Sequence, residues 1–159
     1  MSKIVLTGHP ESGKAELFAR LKQKYSEAYF IEDPVSEIIT SQQQENAKIN
    51  PGILGKLLIA RSLSDKQNTP QNTSLIIQHS SLLDVVWYAQ ENDCLYLLPR
   101  LIPLIKAARY TLSLECDPIN NVDVQNICTQ FNITTQEMPQ SNIQDRTTLA
   151  IIAINRLKN

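Results

Sequence analysis

The sequence predicts a three-layer α/β fold, a five-stranded parallel sheet flanked by helices, and three observations carry that prediction. Runs of strand formers alternate with segments of helical periodicity along the chain, in the order βαβαβαβαβα. The first strand run passes through a glycine-bearing loop straight into an amphipathic helix, as a βα unit of a parallel sheet does. With 159 residues and 42% hydrophobic content, the chain suits a single domain, residues 1–159, with a core of ordinary size.

The first strand is the apolar run from Lys3 to Thr7, and the loop behind it holds the most specific signal in the chain. Gly8, Gly13 and Lys14 have the spacing Gly-x-x-x-x-Gly-Lys. Glycines let successive backbone N–H groups turn inward around phosphate oxygens, and the lysine adds a mobile positive charge. The helix that follows, with Leu17, Phe18 and Leu21 on its apolar side, points its positive end at the same place. The expected cradle is therefore Gly8, His9, Pro10, Glu11, Ser12, Gly13, Lys14 and Ala15. Standing in a loop, Lys14 is expected to contribute little to the core. Ala15 occupies the place where a Ser or Thr hydroxyl meets magnesium, and a methyl group cannot coordinate a cation. Phosphate cradling survives that exchange; the metal seat is damaged.

Ala28 to Glu32 reads as the second strand, ended by Asp33 and Pro34. Glu32 and Asp33 leave the sheet at its carboxyl edge, where open α/β sheets bind ligands, so both are candidates for a substrate or metal-water contact. The alternative is a solvated pair capping a helix from Val35 to Thr40. Ser41 to Asn50 is polar and reads as an exposed loop or helix end, closed by Pro51 and Gly52. Ile53 to Gln67 is a core-facing helix with Ile53, Leu54, Leu57, Leu58 and Leu63 on one stripe. Ser74 to Gln78 is a buried strand, expected beside the first, that opens into His79, Ser80 and Ser81. Phosphate-loop folds place a magnesium-ordering aspartate at this exit, where Gln78 and His79 stand instead.

Leu82 to Glu91 is a helix apolar nearly all round, with Asp84 as its one internal acid and Trp87 in the core. Pro99 and Pro103 argue against one straight helix from Leu97 to Tyr110, and a helix from about Pro103 to Arg109 respects them. Tyr110 to Glu115 is the fourth strand, Val122 to Phe131 a helix, Ile133 to Met138 the fifth strand, and Asp145 to Leu157 the last helix.

A formal charge of −1 offers no global attraction to nucleic acid or an acidic membrane, and no long basic run supplies a local one. No apolar run approaches the roughly 18 residues needed to span a bilayer, and the apolar part of the amino terminus is too short for a signal peptide. The expectation is a soluble, cytoplasmic protein. Cys94, Cys116 and Cys128 are odd in number and widely spaced, and read as buried free thiols rather than a zinc site.

The loop, the acid-proline step at Asp33 and Pro34, the strand ending at Gln78 and the late pair Asp145 and Arg146 together resemble the small AAA-type P-loop ATPases related to ribosylnicotinamide kinase. The loop resembles that group's Gly-Pro-Glu-Ser-Ser-Gly-Lys-Ser, with Ala15 in place of the last serine. The resemblance implies a P-loop NTPase fold, ATP or GTP as ligand, and Arg146 as a group placed to reach the base or a phosphate; a helix-surface charge is the other reading of Arg146. The departures are several. Ser36 stands where the family's acid-Pro-x-Arg step has its arginine, and Gln78 and His79 stand where it has an Asp-Arg pair. Glu115 to Val122 carries no Arg or Lys where family members tend to have a basic lid.

Phosphoryl transfer rests on positioning and charge stabilisation, and a single arginine finger is worth about 10³ to 10⁵ in rate. With several such groups missing, the expected function is nucleotide binding with weak or lost phosphoryl transfer, in a regulatory or partner-binding module. Two alternatives stay open. One is an active ATP-dependent small-molecule kinase or NTPase, in which Lys14, Asp33 and His79 carry catalysis and Asp33, Glu32 or Asp84 holds Mg2+. The other is a structural protein that no longer binds nucleotide.

Overall fold

The structure, a computed structural model, describes residues 1–8, 12–32, 67–91, 95–117 and 122–157. Its elements are β1 (Ser2–Thr7), α1 (Lys14–Lys24), β2 (Tyr29–Ile31), β3 (Leu75–Gln78), α2 (Leu82–Glu91), a 3-10 turn (Leu95–Leu97), α3 (Leu98–Ala108), β4 (Leu112–Glu115), α4 (Val122–Gln130), β5 (Thr134–Glu137) and α5 (Ile143–Leu157). The helix expected over 35–40, the polar stretch after it and nearly all of the helix expected over 53–67 lie outside the described residues, as do His9, Pro10, Glu11, Asp33, Ser36 and Cys94.

The strands form one sheet in the order β2-β3-β1-β4-β5, every neighbouring pair parallel. The expected five-stranded parallel sheet, with the third strand beside the first, is the one observed. Strand side chains alternate between faces, and the sequence obeys that period. Ile4, Leu6, Leu75, Ile77, Leu112 and Leu114 pack on one face with Leu17, Phe18 and Leu21 of α1 and Ala150, Ala153 and Ile154 of α5. Val5 points the other way, into a second cluster built from Leu83 and Val86 of α2, Leu101 and Ile105 of α3, and Val124 and Ile127 of α4. Trp87 packs partly buried against that second cluster, as expected.

Strand ends differ from expectation by a residue or two, because single hydrogen bonds continue past the paired ladder. Thr111 N–H donates to the Lys3 carbonyl and Met138 N–H to the Glu115 carbonyl. Tyr110, just before β4, is buried against α2, and its hydroxyl accepts from the Leu82 N–H at 3.2 Å.

The helix expected to start near Pro103 instead starts at Leu98 and runs through Pro103 to Ala108. Pro99 lies in its first turn, where the missing N–H would have had no helical partner. Pro103 forfeits one internal bond, at about 3 kcal/mol for an interior proline, and leaves its ring exposed. Leu101 and Ile105 are buried on the same helix, each worth about 1.5–3 kcal/mol, so packing outweighs the break.

The connections that leave β1 and β3 decide where a ligand fits. The chain leaves β1 for α1 on one face, and leaves the adjacent β3 for α2 on the opposite face. Carboxyl ends of neighbouring strands whose connections diverge leave a crevice between them, the place where open α/β sheets bind ligands.

Candidate functional site

Gly8 follows β1 with φ +150°, and a Cβ there would stand 2.7 Å from Ser12 Oγ and 3.3 Å from the Asp117 amide nitrogen. Gly13 caps the amino end of α1 with φ +88°, and a Cβ there would stand 2.8 Å from Arg146 Nη1. Both glycines of the motif therefore sit in conformations and spaces that a side chain resists. Ala15 is exposed in the first turn of α1.

Lys14 does not wave in solvent. It is 1% exposed, and its Nζ lies 2.9 Å from Asp84 Oδ2 and 3.4 Å from Ser80 Oγ. Asp84 Oδ1 accepts from the Gly8 N–H at 2.8 Å, and Oδ2 accepts from the Ser81 N–H at 3.2 Å. The expectation that Lys14 contributes little to the core is thereby corrected: it neutralises a buried carboxylate, and a buried charge left alone is costly. Asp84 stands in the first turn of α2, where the helix dipole favours an anion. Sequence reasoning named Asp84 among possible magnesium holders and missed its contact with the loop; the available signal was a lone acid in an otherwise apolar helix.

His79 follows β3 and is half-buried, its backbone N–H bonded to the Ile31 carbonyl and its Nδ1 3.1 Å from Ser80 Oγ. The ring stands edge-on to Phe18, centroids 5.1 Å apart. Burial depresses its pKa below the ordinary histidine value, and Lys14 adds to that depression. Glu32, by contrast, is exposed and paired with Lys22, whose hydrogen bond and charge lower its pKa. Gln78 is buried at the β3 exit, beside Val5 of β1 in register.

Arg146 is buried, so it is not a helix-surface charge. Its Nε donates to the Pro139 carbonyl at 2.8 Å, Nη1 to the Ser12 carbonyl at 2.6 Å, and Nη2 to the Cys116 carbonyl and Gln140 Oε1, both at 3.3 Å. Gln140 in turn donates to the Cys116 carbonyl at 3.2 Å. One planar fork thus ties together the loops that follow β1, β4 and β5. Nothing in the sequence pointed to Gln140.

Near the carboxyl ends of β1 and β4, the Thr7 and Ser113 hydroxyls bond at 2.6 Å. Glu115 is 1% exposed, and its Oε1 has no hydrogen-bond partner among the described residues. Burial raises its pKa, and Glu137 on β5 raises it further. Cys116 and Cys128 are buried free thiols, each pushed by burial to about 12.

Among the described residues the donor set does not fit a magnesium ion as arranged. Ala15 offers a methyl, Gln78 a neutral amide, and the Asp84 oxygens already accept from two amides and an ammonium. Among the described residues no three His, Cys, Asp or Glu side chains gather as a metal would require. Also among the described residues, no helix is long and apolar enough to cross a membrane.

No protein-family model matches the sequence, and no curated protein matches it. Solved structures do. The chain is similar to thymidylate kinase from Candida albicans, at 13% identity and a TM-score of 0.65, over 99% of this chain and 92% of that one. It is also similar to deoxyadenosine kinase from M. mycoides, solved with dCMP and a flexible dCDP bound, at 13% identity and a TM-score of 0.62, over 97% of this chain and 99% of that one. At such identities the likeness shows the fold, which is a P-loop kinase fold.

Proposed function

We propose that this chain is a nucleotide-binding P-loop protein of kinase-like fold, holding ATP or GTP with weak or lost phosphoryl transfer, and serving as a regulatory or partner-binding module. The observation that carries the reading is the setting of Lys14: a buried lysine at the amino end of α1, behind two glycines of positive φ, in the crevice between β1 and β3. Amides and lysine in that arrangement suit phosphate oxygens. The likeness to two nucleotide kinases supports the same ligand class. Gly8, His9, Pro10, Glu11, Ser12, Gly13, Lys14 and Ala15 form the cradle, and Arg146 holds its shape through Ser12. Lys14, His79 and Asp33 are the groups left to face a transferred phosphoryl group. With Ala15 and Gln78 in the two metal-shell positions, nucleotide binding depends weakly on Mg2+. The finer resemblance to the ribosylnicotinamide-kinase-related ATPases belongs to this proposal, as do the single domain, the cytoplasmic setting and the absence of a nucleic-acid partner.

One observation favours a second reading, an active kinase or NTPase: Asp84 brings a carboxylate to the loop that the β3 exit itself does not supply. Thermal shifts with ATP, GTP and their diphosphates, each with and without magnesium, test both. Binding to the native state adds RT ln(1 + [L]/Kd), about 2.7 kcal/mol at a hundredfold excess over Kd. No shift with any nucleotide removes the proposal in favour of the structural reading. Hydrolysis at about 1 s⁻¹ or faster puts the active enzyme in its place.

A further inference from the structure

We infer that Asp84 is a built-in counter-anion of the phosphate loop, holding the loop's lysine and first glycine amide until a polyphosphate displaces it. The inference rests on the nucleotide-binding reading and adds to it a device that regulates loading.

The geometry is that of an anion seat already filled. The Asp84 carboxylate accepts from the Gly8 N–H at 2.8 Å, the Lys14 ammonium at 2.9 Å and the Ser81 N–H at 3.2 Å. Backbone amides plus an ammonium are the donors a phosphate loop offers its ligand. The side chains of the pair are 1% and 6% exposed, so solvent screens their attraction little. Ionic hydrogen bonds between buried partners are also strong ones.

Neither residue is comfortable without the other. Asp84 lies among Leu82, Leu83, Val85 and Val86, all buried, where an unpaired carboxylate would be costly. Lys14 is equally enclosed. A phosphate arriving at the loop therefore competes with an internal carboxylate for the same ammonium, and meets a pair whose charges cancel instead of a free positive charge. When the phosphate wins, Asp84 loses its hold on Gly8 and on Lys14. The first turn of α2, which carries Asp84, is then released from the loop. Loop occupancy is thus coupled to the start of a helix that packs against α3 and α4.

Asp84→Asn keeps the shape of the side chain and removes its charge. Calorimetry with sodium tripolyphosphate, and with ATP, each with and without magnesium, compares it with the natural chain. The expected result is binding at least tenfold tighter in the variant. Equal affinity overturns the inference and leaves the nucleotide-binding reading standing. So does tighter binding by the natural chain that appears only with magnesium, which would assign Asp84 to the metal. Binding by neither protein overturns both. If the variant does not fold, the natural chain answers alone in an ATP titration followed by amide NMR. The Gly8 and Ser81 amide resonances should move together as Asp84 leaves both, and resonances unmoved at saturation would sink the idea.

Discussion

Arg146 Nη1 donates to the Ser12 carbonyl at 2.6 Å, joining the last helix to the phosphate loop across 134 residues of sequence. The same guanidinium serves Pro139, Cys116 and Gln140, so its loss strands several acceptors at once. Arg146→Ala is expected to lower stability by about 2–3 kcal/mol, in the range for hydrogen bonds to a charged group, and to weaken ATP binding by loosening the loop. Arg146→Lys should recover only part of this, because an ammonium cannot reproduce the planar fork. Urea unfolding of the three proteins checks the ranking; an alanine variant as stable as the natural chain would leave the clamp without energetic meaning. Gly13→Ala should also destabilise, since it meets both a φ of +88° and the Nη1 atom 2.8 Å away. In the double variant with Arg146→Ala the clash is gone and the backbone strain stays, so the two costs should add to less than their sum.

Lys14→Ala is expected to do two things. It should abolish nucleotide binding, and it should destabilise the unliganded protein by about 3–5 kcal/mol, because Asp84 is left buried without its partner. Adding Asp84→Ala should return much of that stability without returning nucleotide affinity. Denaturant midpoints give the first answer and calorimetry the second.

The fold was legible because its signals are periodic. Strand alternation and helical stripes place Ile4, Leu6, Leu17 and Leu21 against one another whatever the loops do. The loop was legible because its chemistry lives in the main chain, so glycine spacing alone announces it. The route of α3 was hidden, since local proline rules spoke against it while the burial of Leu101 and Ile105 decided it. The contacts of Asp84 and Arg146 were hidden for another reason. Each meets loop atoms far along the chain, Asp84 at the Gly8 amide and Arg146 at the Ser12 and Cys116 carbonyls, and a main-chain group carries no residue identity to read.

Glu115 gives a pH dependence of stability with a definite sign. Its folded pKa lies above the ordinary carboxyl value, first through burial and then through Glu137. The folded state therefore holds this proton more tightly than the unfolded chain does. Its contribution is fully present below the unfolded value of about 4.3 and is lost as pH rises through the folded one. Glu115→Gln cannot titrate, so its stability curve should lack this decline, most visibly in unfolding midpoints measured between about pH 4 and pH 7. Parallel curves for the two proteins would show that the carboxyl does not titrate differently on folding.

The same reasoning, with the sign reversed, applies to His79 and reaches the ligand. Burial first, and Lys14 second, hold its pKa below 6.5 in the unliganded protein. Its contribution to stability is present above that value and lost as pH falls through the depressed one. A polyphosphate in the crevice adds negative charge beside Lys14 and offsets the repulsion that Lys14 exerts on the imidazole. The His79 pKa should then rise on binding, so that ATP carries a proton into the complex and its affinity increases as pH falls below about 6.5. Each unit of difference between free and bound pKa is worth about tenfold in Kd. Calorimetry near pH 6 in two buffers of different ionisation enthalpy reads the proton directly. Uptake in the natural chain and none in His79→Gln is the expected pair of results, with His9→Gln as the control for the imidazole in the loop. Uptake unchanged by His79→Gln would move the effect to His9, and no uptake in any of the proteins would mean that the phosphates bind out of reach of His79.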